Sequence, residues 1–460
     1  MRAPSHVLLA SLLLSTACAT TGTQPPPSAP PARPFGTLRA QADRQQAWLR
    51  ERLEVALPQL MRQHGVELWV VPMREYNEDP VFKALVSATT YAARRRTIYV
   101  FHDLGPDKGV ARIALGGSPQ GGIYEVRRPA RKVDGGGVER TGEPWGPEQW
   151  RMLKQLLEER QPKSIAINTS RTFAFADGLT HGEYEGMAEA LGPQWTARLK
   201  PSGGLPVDLL AWRGEDEARF FQEENKLAWD IIQTAFSSAV ITPGVTRVND
   251  VEWWMVQRLA DLGLSTWFHA SVSVQRQGFT EAQLGEDPVI RRGDVLHCDF
   301  GITALRLNTD TQHMGYVLRE GESDVPAGLK QALARSNRLQ DLVVEELRPG
   351  RTGNEVLRTV LSRMREEGID GTVYSHPVGL HGHGAGAMVG LWDHQEGVPG
   401  NGDHSIIPSM WYSVELQATS PVPEWEGQKV RSAQEEDVII GADGRVRWAY
   451  QRQTAFHLVR

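Results

Sequence analysis

A chain of 460 residues is long enough for two or three domains, and 40% hydrophobic with 23% charged residues is ordinary for a folded globular protein. The formal net charge of −6, with no long basic run, does not suggest a nucleic-acid partner. Two cysteines, Cys18 and Cys298, are too few for a disulfide framework.

The N-terminus reads as an export signal. Arg2 supplies a positive start, and residues 7–14 form an apolar stretch too short to span a bilayer. Ser15, Thr16 and Ala17 then precede Cys18, a pattern that resembles a bacterial lipoprotein signal. The resemblance implies lipidation of Cys18 and a place in the bacterial cell envelope, periplasmic or at the outer membrane. An ordinary secretory signal cleaved near Ala17 and an uncleaved anchor are the alternatives. Residues 19–36 are rich in Pro, Ser, Thr and Ala, which suits an extended tether rather than a core.

Residues 38–63 carry Trp48, Leu49, Leu53, Ala56, Leu57 and Leu60 at helical spacing, and Gly65 is a stop signal. Short apolar runs at 66–72, 97–101, 111–115 and 123–126 read as strands. Pro147 opens a helix over 148–160, and 164–168 reads as another strand. These elements predict a compact α/β domain over 37–214 without a catalytic cluster. Arg94, Arg95 and Arg96 read as a solvated loop.

A second domain is expected over 215–460, opened by a long helix over 215–240. It contains an internal echo. Pro243-Gly244-Val245-Thr246 with Val251 and Gly263 is matched by Pro349-Gly350-Arg351-Thr352 with Val356 and Gly368. Asn249 with Glu252, and Thr352 with Glu355, fit the capping-box spacing. A strand pair follows each helix, so two similar halves can pack about a pseudo-twofold axis with a site at their junction.

Four carboxylates and one imidazole in strand-like segments carry the chemistry: Asp299, Asp310, His383, Glu415 and Glu436. A hairpin centred near Ala304 and Leu305 would set Asp299 opposite Asp310, with Cβ atoms about 4.5–5.5 Å apart. Like charges so close call for a proton or a cation. Carboxylates with a histidine suit Mn²⁺, Co²⁺, Zn²⁺ or Fe²⁺, and this many acids exceed the needs of one ion.

At this point the residues resemble a family. Val289-Ile-Arg-Arg-Gly293-Asp294-Val-Leu-His-Cys-Asp299-Phe-Gly301 is similar to the first-aspartate motif of the M24 metallopeptidases, and Asp310 stands eleven residues later, as that family's second aspartate does. Gly382-His383-Gly384-Ala385-Gly386 resembles its histidine motif. Trp411-Tyr-Ser-Val-Glu415 and Ser432-Ala-Gln-Glu-Glu436-Asp437 resemble its glutamate strands. The resemblance implies an α/β (α+β) architecture: a pita-bread catalytic domain after a smaller creatinase-type α/β domain. It also implies two divalent metal ions held by Asp299, Asp310, His383, Glu415 and Glu436. The implied activity is that of a metalloaminopeptidase cutting the N-terminal bond of short peptides, Xaa-Pro among them, through a metal-activated hydroxide. Glu415 would be the proton shuttle, and His381 and His269 further catalytic candidates. The alternatives are a catalytically impaired peptide-binding lipoprotein and a metal-free creatinase-like C–N hydrolase. A homodimer is left open.

Several positions depart from the family pattern. A second histidine is expected seven residues after the ligand, where counting from His383 gives Gly390 and from His381 gives Met388. Another is expected 17–18 residues before Asp299, where Ala282 and Glu281 stand, and His269 lies thirty before. Thr311-Gln312-His313 replaces Thr-Arg-Thr. His381 competes with His383, and His376 becomes a candidate for the substrate side. Alternation puts only one of Glu435 and Glu436 on the inner face, and the motif favours Glu436.

Overall fold

The computed structural model describes residues 33–128, 132–133, 139–140 and 146–460. The expected lipidation at Cys18 lies outside these residues. No helix among them is long and apolar enough to cross a membrane.

The helix expected over 38–63 forms as Leu38–Glu51, a π-helical turn Arg52–Ala56, and Leu57–Gln63, and it stops before Gly65 at φ +63°. The apolar runs that follow build a six-stranded sheet. Its order is Glu125–Arg127, Val110–Leu115, Arg96–Asp103, Leu68–Arg74, Ile165–Ile167, Leu199–Pro201. The helix Glu148–Arg160 has the expected bounds, and Trp150, Leu153, Leu156 and Leu157 bury its apolar stripe. Arg96 corrects the reading of a solvated triplet. It is largely buried and pairs through Nε and one terminal nitrogen with Glu183, at 2.7 and 2.9 Å.

A second, nine-stranded sheet runs through residues 271–459. Its main path is Asp370–Val373, Met410–Val422, Gln428–Ile440, Thr311–Val317, Val295–Phe300, Ser271–Gln275. It consists of two halves. Helix Val248–Asp261 packs on the strand Ser271–Gln275, and helices Ala327–Glu346 and Gly353–Glu366 cover the half around Met410–Val422. The expected cap forms at Thr352, whose Oγ1 accepts from Glu355 N while Glu355 accepts from Thr352 N. In the first half the cap sits two residues earlier than expected, with Asp250 accepting from Arg247 N. Strands Thr311–Val317 and Gln428–Ile440 join the halves through one directly opposed pair, Gln312 and Glu435.

The two sheets belong to one compact unit, Arg33–Arg460. One apolar cluster runs from Trp69 of the first sheet through Phe221 to Trp411 of the second. The rings of Phe221 and Trp411 stack at 4.0 Å. A second tie is Arg306, whose guanidinium donates to the carbonyls of Lys83, Val86, Ser87 and Thr90 at 2.9–3.2 Å.

Candidate metal centre

The hairpin that carries the two aspartates turns at Leu305 and Arg306, both left-handed at φ +49° and +69°. That centre is one residue later than the sequence suggests. Asp299 therefore faces Gln312, not Asp310. The opposed pair of like charges occurs elsewhere. Met410–Val422 and Gln428–Ile440 pair so that Glu415 lies directly across from Glu435. One register row thus crosses four strands as Asp299, Gln312, Glu435, Glu415. Asp310 joins this row from the end of the hairpin, with Oδ and Oε atoms of Asp299, Asp310 and Glu435 all within 4.8 Å of one another.

The imidazole at this row is that of His376. Its strand, His376–Val378, pairs with Met410–Val422 so that His376 faces Ser413, two residues from Glu415 on the same side. Its Nδ1 donates to the carbonyl of Pro377 at 3.0 Å, which leaves Nε2 as a bare lone pair. That Nε2 stands 3.3 Å from Glu435, 3.6 Å from Asp310 and 3.8 Å from Glu415. His376, Glu415 and Glu435 form a second grouping with ligand atoms within 4.8 Å, and Asp310, His376 and His383 form a third.

Glu436, His381 and His269 lie outside these groupings among the described residues, and His383 joins one of them at its outer edge. Glu436 does not join the row. Alternation turns it to the helix-covered face, where it accepts from Gln453 N at 2.9 Å and lies 3.1 Å from His313 Nε2. His383 stands further out toward the cleft, with Nε2 3.3 Å from the Tyr374 hydroxyl and its ring against His376 and Trp267. Taking His376 as the ligand-type histidine, His383 is the residue seven positions later, so that departure from the pattern disappears. His381 points elsewhere. A Cβ at Gly382 would overlap the Trp267 indole, and this tight passage separates His381 from His383. The His381 ring packs on Phe175 and lines a cavity with Asp79, Lys83 and Arg306. His269 meets Trp253 edge-on and bonds to the carbonyl of Ala270, outside every acid grouping among the described residues.

The electrostatics of the row fit a cation. Burial, reinforced by Glu435, holds the Asp299 and Asp310 carboxyls well above the usual range. Burial and the neighbouring carboxylates also push Glu415 and Glu435 up, while burial pushes the His376 imidazole down. Asp299 Oδ1, Glu435 Oε1 and His376 Nε2 are buried with no hydrogen-bond partner. Buried polar atoms are nearly always satisfied. These three orphans come from three strands, and Glu435 shares one ligand grouping with Asp299 and another with His376, a donor set that fits borderline divalent ions. The fixed Nδ1–H of His376 is the outer hydrogen bond expected of a metal-ligating histidine.

Beside Glu415 lies a cavity of about 240 Å³ lined by His297, Gln312, Tyr374, Trp392 and Arg431. Trp392 is 72% exposed, so an apolar wall faces solvent there. Neither His376 nor Glu435 stands out from its local motif. The spacing of His376 to His383 was the signal for the first. The turn at Trp425, equidistant from residues 415 and 435, was the signal for the second.

Residues 223–442 match the profile of Metallopeptidase family M24. A search of curated protein sequences returned no match. Among solved structures the chain is similar to X-Pro aminopeptidase from Thermotoga maritima MSB8, at 15% identity and TM-score 0.58 over 87% of this chain and 100% of that one. It is similar to Xaa-Pro dipeptidase from Bacillus anthracis at 17% identity and TM-score 0.54, covering 90% and 100% of the two chains. The N-terminal domain of the FACT complex subunit SPT16 from Cicer arietinum (chickpea) is also similar, at 10% identity and TM-score 0.58 over 90% and 99%. Identities this low show a shared fold. The chain thus has a pita-bread domain preceded by an α/β domain, as the sequence predicts.

Proposed function

We propose that this M24-type domain hydrolyses the N-terminal peptide bond of short peptides, Xaa-Pro bonds among them, with divalent metal ions held by Asp299, Asp310, His376, Glu415 and Glu435. The fold also occurs in a FACT complex subunit, so fold alone does not assign the reaction. The observation that carries the proposal is the set of three orphaned ligand atoms of Asp299, His376 and Glu435. Divalent ions, when bound, supply Lewis acidity and acidify a water.

The protein's own groups divide the remaining work. Glu415 is the carboxylate open to the cleft, its side chain 23% exposed against 1% for Glu435. It is placed to move a proton between the cleft and the departing amine. Tyr374 and His383 border the same approach and can donate to a peptide carbonyl. Arg431 on the cavity wall offers a cation to the terminal carboxylate of a short peptide. Docking of Arg306 on residues 83–90 sets the first domain beside the hairpin that carries the aspartates, which limits the length of chain that enters.

The test is a panel of dipeptides, Xaa-Pro tripeptides and longer peptides offered to protein loaded with Mn²⁺ or Co²⁺. Cleavage of short members that stops on chelation supports the reading. Stoichiometric metal with no cleavage of any member overturns it. Lipidation of Cys18, which would place the hydrolase on the bacterial envelope, is tested by palmitate labelling of the wild type against Cys18→Ser.

A further inference from the structure

We infer that Gln312, oriented by His297, is a positioning residue that fixes the two opposed glutamates for metal binding. This rests on the reading of the acid row as a divalent-metal site. Gln312 is the neutral member of that row, at the pair where the two halves of the sheet meet. Its Nε2 donates to Glu415 Oε1 at 3.0 Å and to Glu435 Oε2 at 2.7 Å. One amide group thus ties both carboxylates of a pair that repel each other, and it is 6% exposed.

The direction of this tie follows from donor and acceptor inventory. With a cation bound both carboxylates are ionised and only accept, so only the NH₂ end of Gln312 can face the two glutamates in that state. Its Oε1 end then needs a donor. His297 Nε2, at 2.9 Å, is the group in reach, and it must carry the proton. Nδ1 of the same ring is left as an acceptor for the Ser273 hydroxyl at 3.4 Å. Ser273, His297, Gln312 and the two glutamates therefore form a chain with a single consistent polarity. The amide holds one oxygen of each glutamate. Glu415 Oε2 and Glu435 Oε1 remain turned toward His376 Nε2, at 3.8 and 3.3 Å. Without the amide each carboxylate regains rotational freedom and faces its neighbour unscreened. Without His297 the amide is free to flip and present its oxygen to the glutamates.

The experiment is calorimetric titration of metal-free protein with Mn²⁺ alone, for wild type, Gln312→Met, His297→Leu and the double variant, with melting of each metal-free form as a fold control. Outer hydrogen-bonding partners of metal ligands are worth about 10–100-fold in affinity. The expected result is weakening in that range for Gln312→Met, a smaller loss for His297→Leu, and a double variant no weaker than Gln312→Met. In turnover, kcat falls while KM holds. Two residues with separate structural roles would instead give additive losses, which overturns the inference, as does unchanged Mn²⁺ affinity in a folded Gln312→Met. Failure of the wild type to bind Mn²⁺ overturns the metal-site reading itself, so the two failures are told apart.

Discussion

Glu415 and Glu435 lie directly across from each other on neighbouring antiparallel strands, and both turn away from the helices. Two carboxyls so opposed call for a cation or a proton beside the oxygens that the Gln312 amide leaves free. The residue after Glu435 faces the other side, so adjacent glutamates have opposite tasks. Glu435→Gln is expected to lower Mn²⁺ affinity and kcat/KM by at least about 100-fold. Glu436→Gln, which perturbs the contacts to Gln453 and His313, is expected to cost about 1–3 kcal/mol of stability and to leave metal affinity near wild type. Parallel metal titration and thermal melting of the two variants check this.

The acids of the row also set a pH trend. Burial first, then neighbouring carboxylates, raise Asp299, Asp310, Glu415 and Glu435, with Glu435 pushed up to about 7 and Glu415 to about 9. The unfolded chain releases these protons near pH 4. Above that value the metal-free folded protein binds more protons than the unfolded chain, so its stability falls as pH rises through about 7 to 9. Divalent ions displace those protons, so metal affinity rises with pH and offsets the loss. Melting curves from pH 5 to 9, with and without Mn²⁺, should diverge. A metal-free protein that grows more stable over that range would count against the account.

Arg306 joins the hairpin to the first domain through four carbonyls while sitting at φ +69°. Left-handed backbone suits glycine. Arg306→Ala loses the charged hydrogen bonds and keeps the strain, for an expected loss of about 2–3 kcal/mol. Arg306→Gly loses the same bonds and relieves the strain, so it should melt above the alanine variant. Urea unfolding of the pair gives the order.

Arg431 lines the cavity beside Glu415. Replacing Arg431 with alanine is expected to raise KM for peptides with a free C-terminal carboxylate about tenfold, which is ~1.4 kcal/mol. C-terminally amidated peptides should be unaffected. Equal changes for both substrate types would remove Arg431 from carboxylate recognition.

Much of the architecture was legible because its causes are local. The helix Glu148–Arg160 follows from apolar spacing after Pro147, and the Thr352–Glu355 cap from residue chemistry at fixed offsets. The site was legible only in part because it depends on register. A hairpin turn at Leu305 and Arg306, one residue beyond the expected centre, brings Gln312 rather than Asp310 opposite Asp299. A half-residue shift in the turn around Trp425 would exchange Glu435 for Glu436. His376 was hidden for a different reason. Its importance comes from a short strand beside Ser413 and from the Pro377 carbonyl that fixes its tautomer, neither of which leaves a local motif.

The central claim is that His376 with the carboxylate row holds the ions that drive peptide cleavage. The most direct measurement is the metal content and Xaa-Pro cleavage of His376→Ala beside His381→Ala, each purified in the same Mn²⁺. The account predicts that His376→Ala loses metal and activity while His381→Ala retains its metal. Metal content and cleavage at wild-type levels in a folded His376→Ala would contradict it.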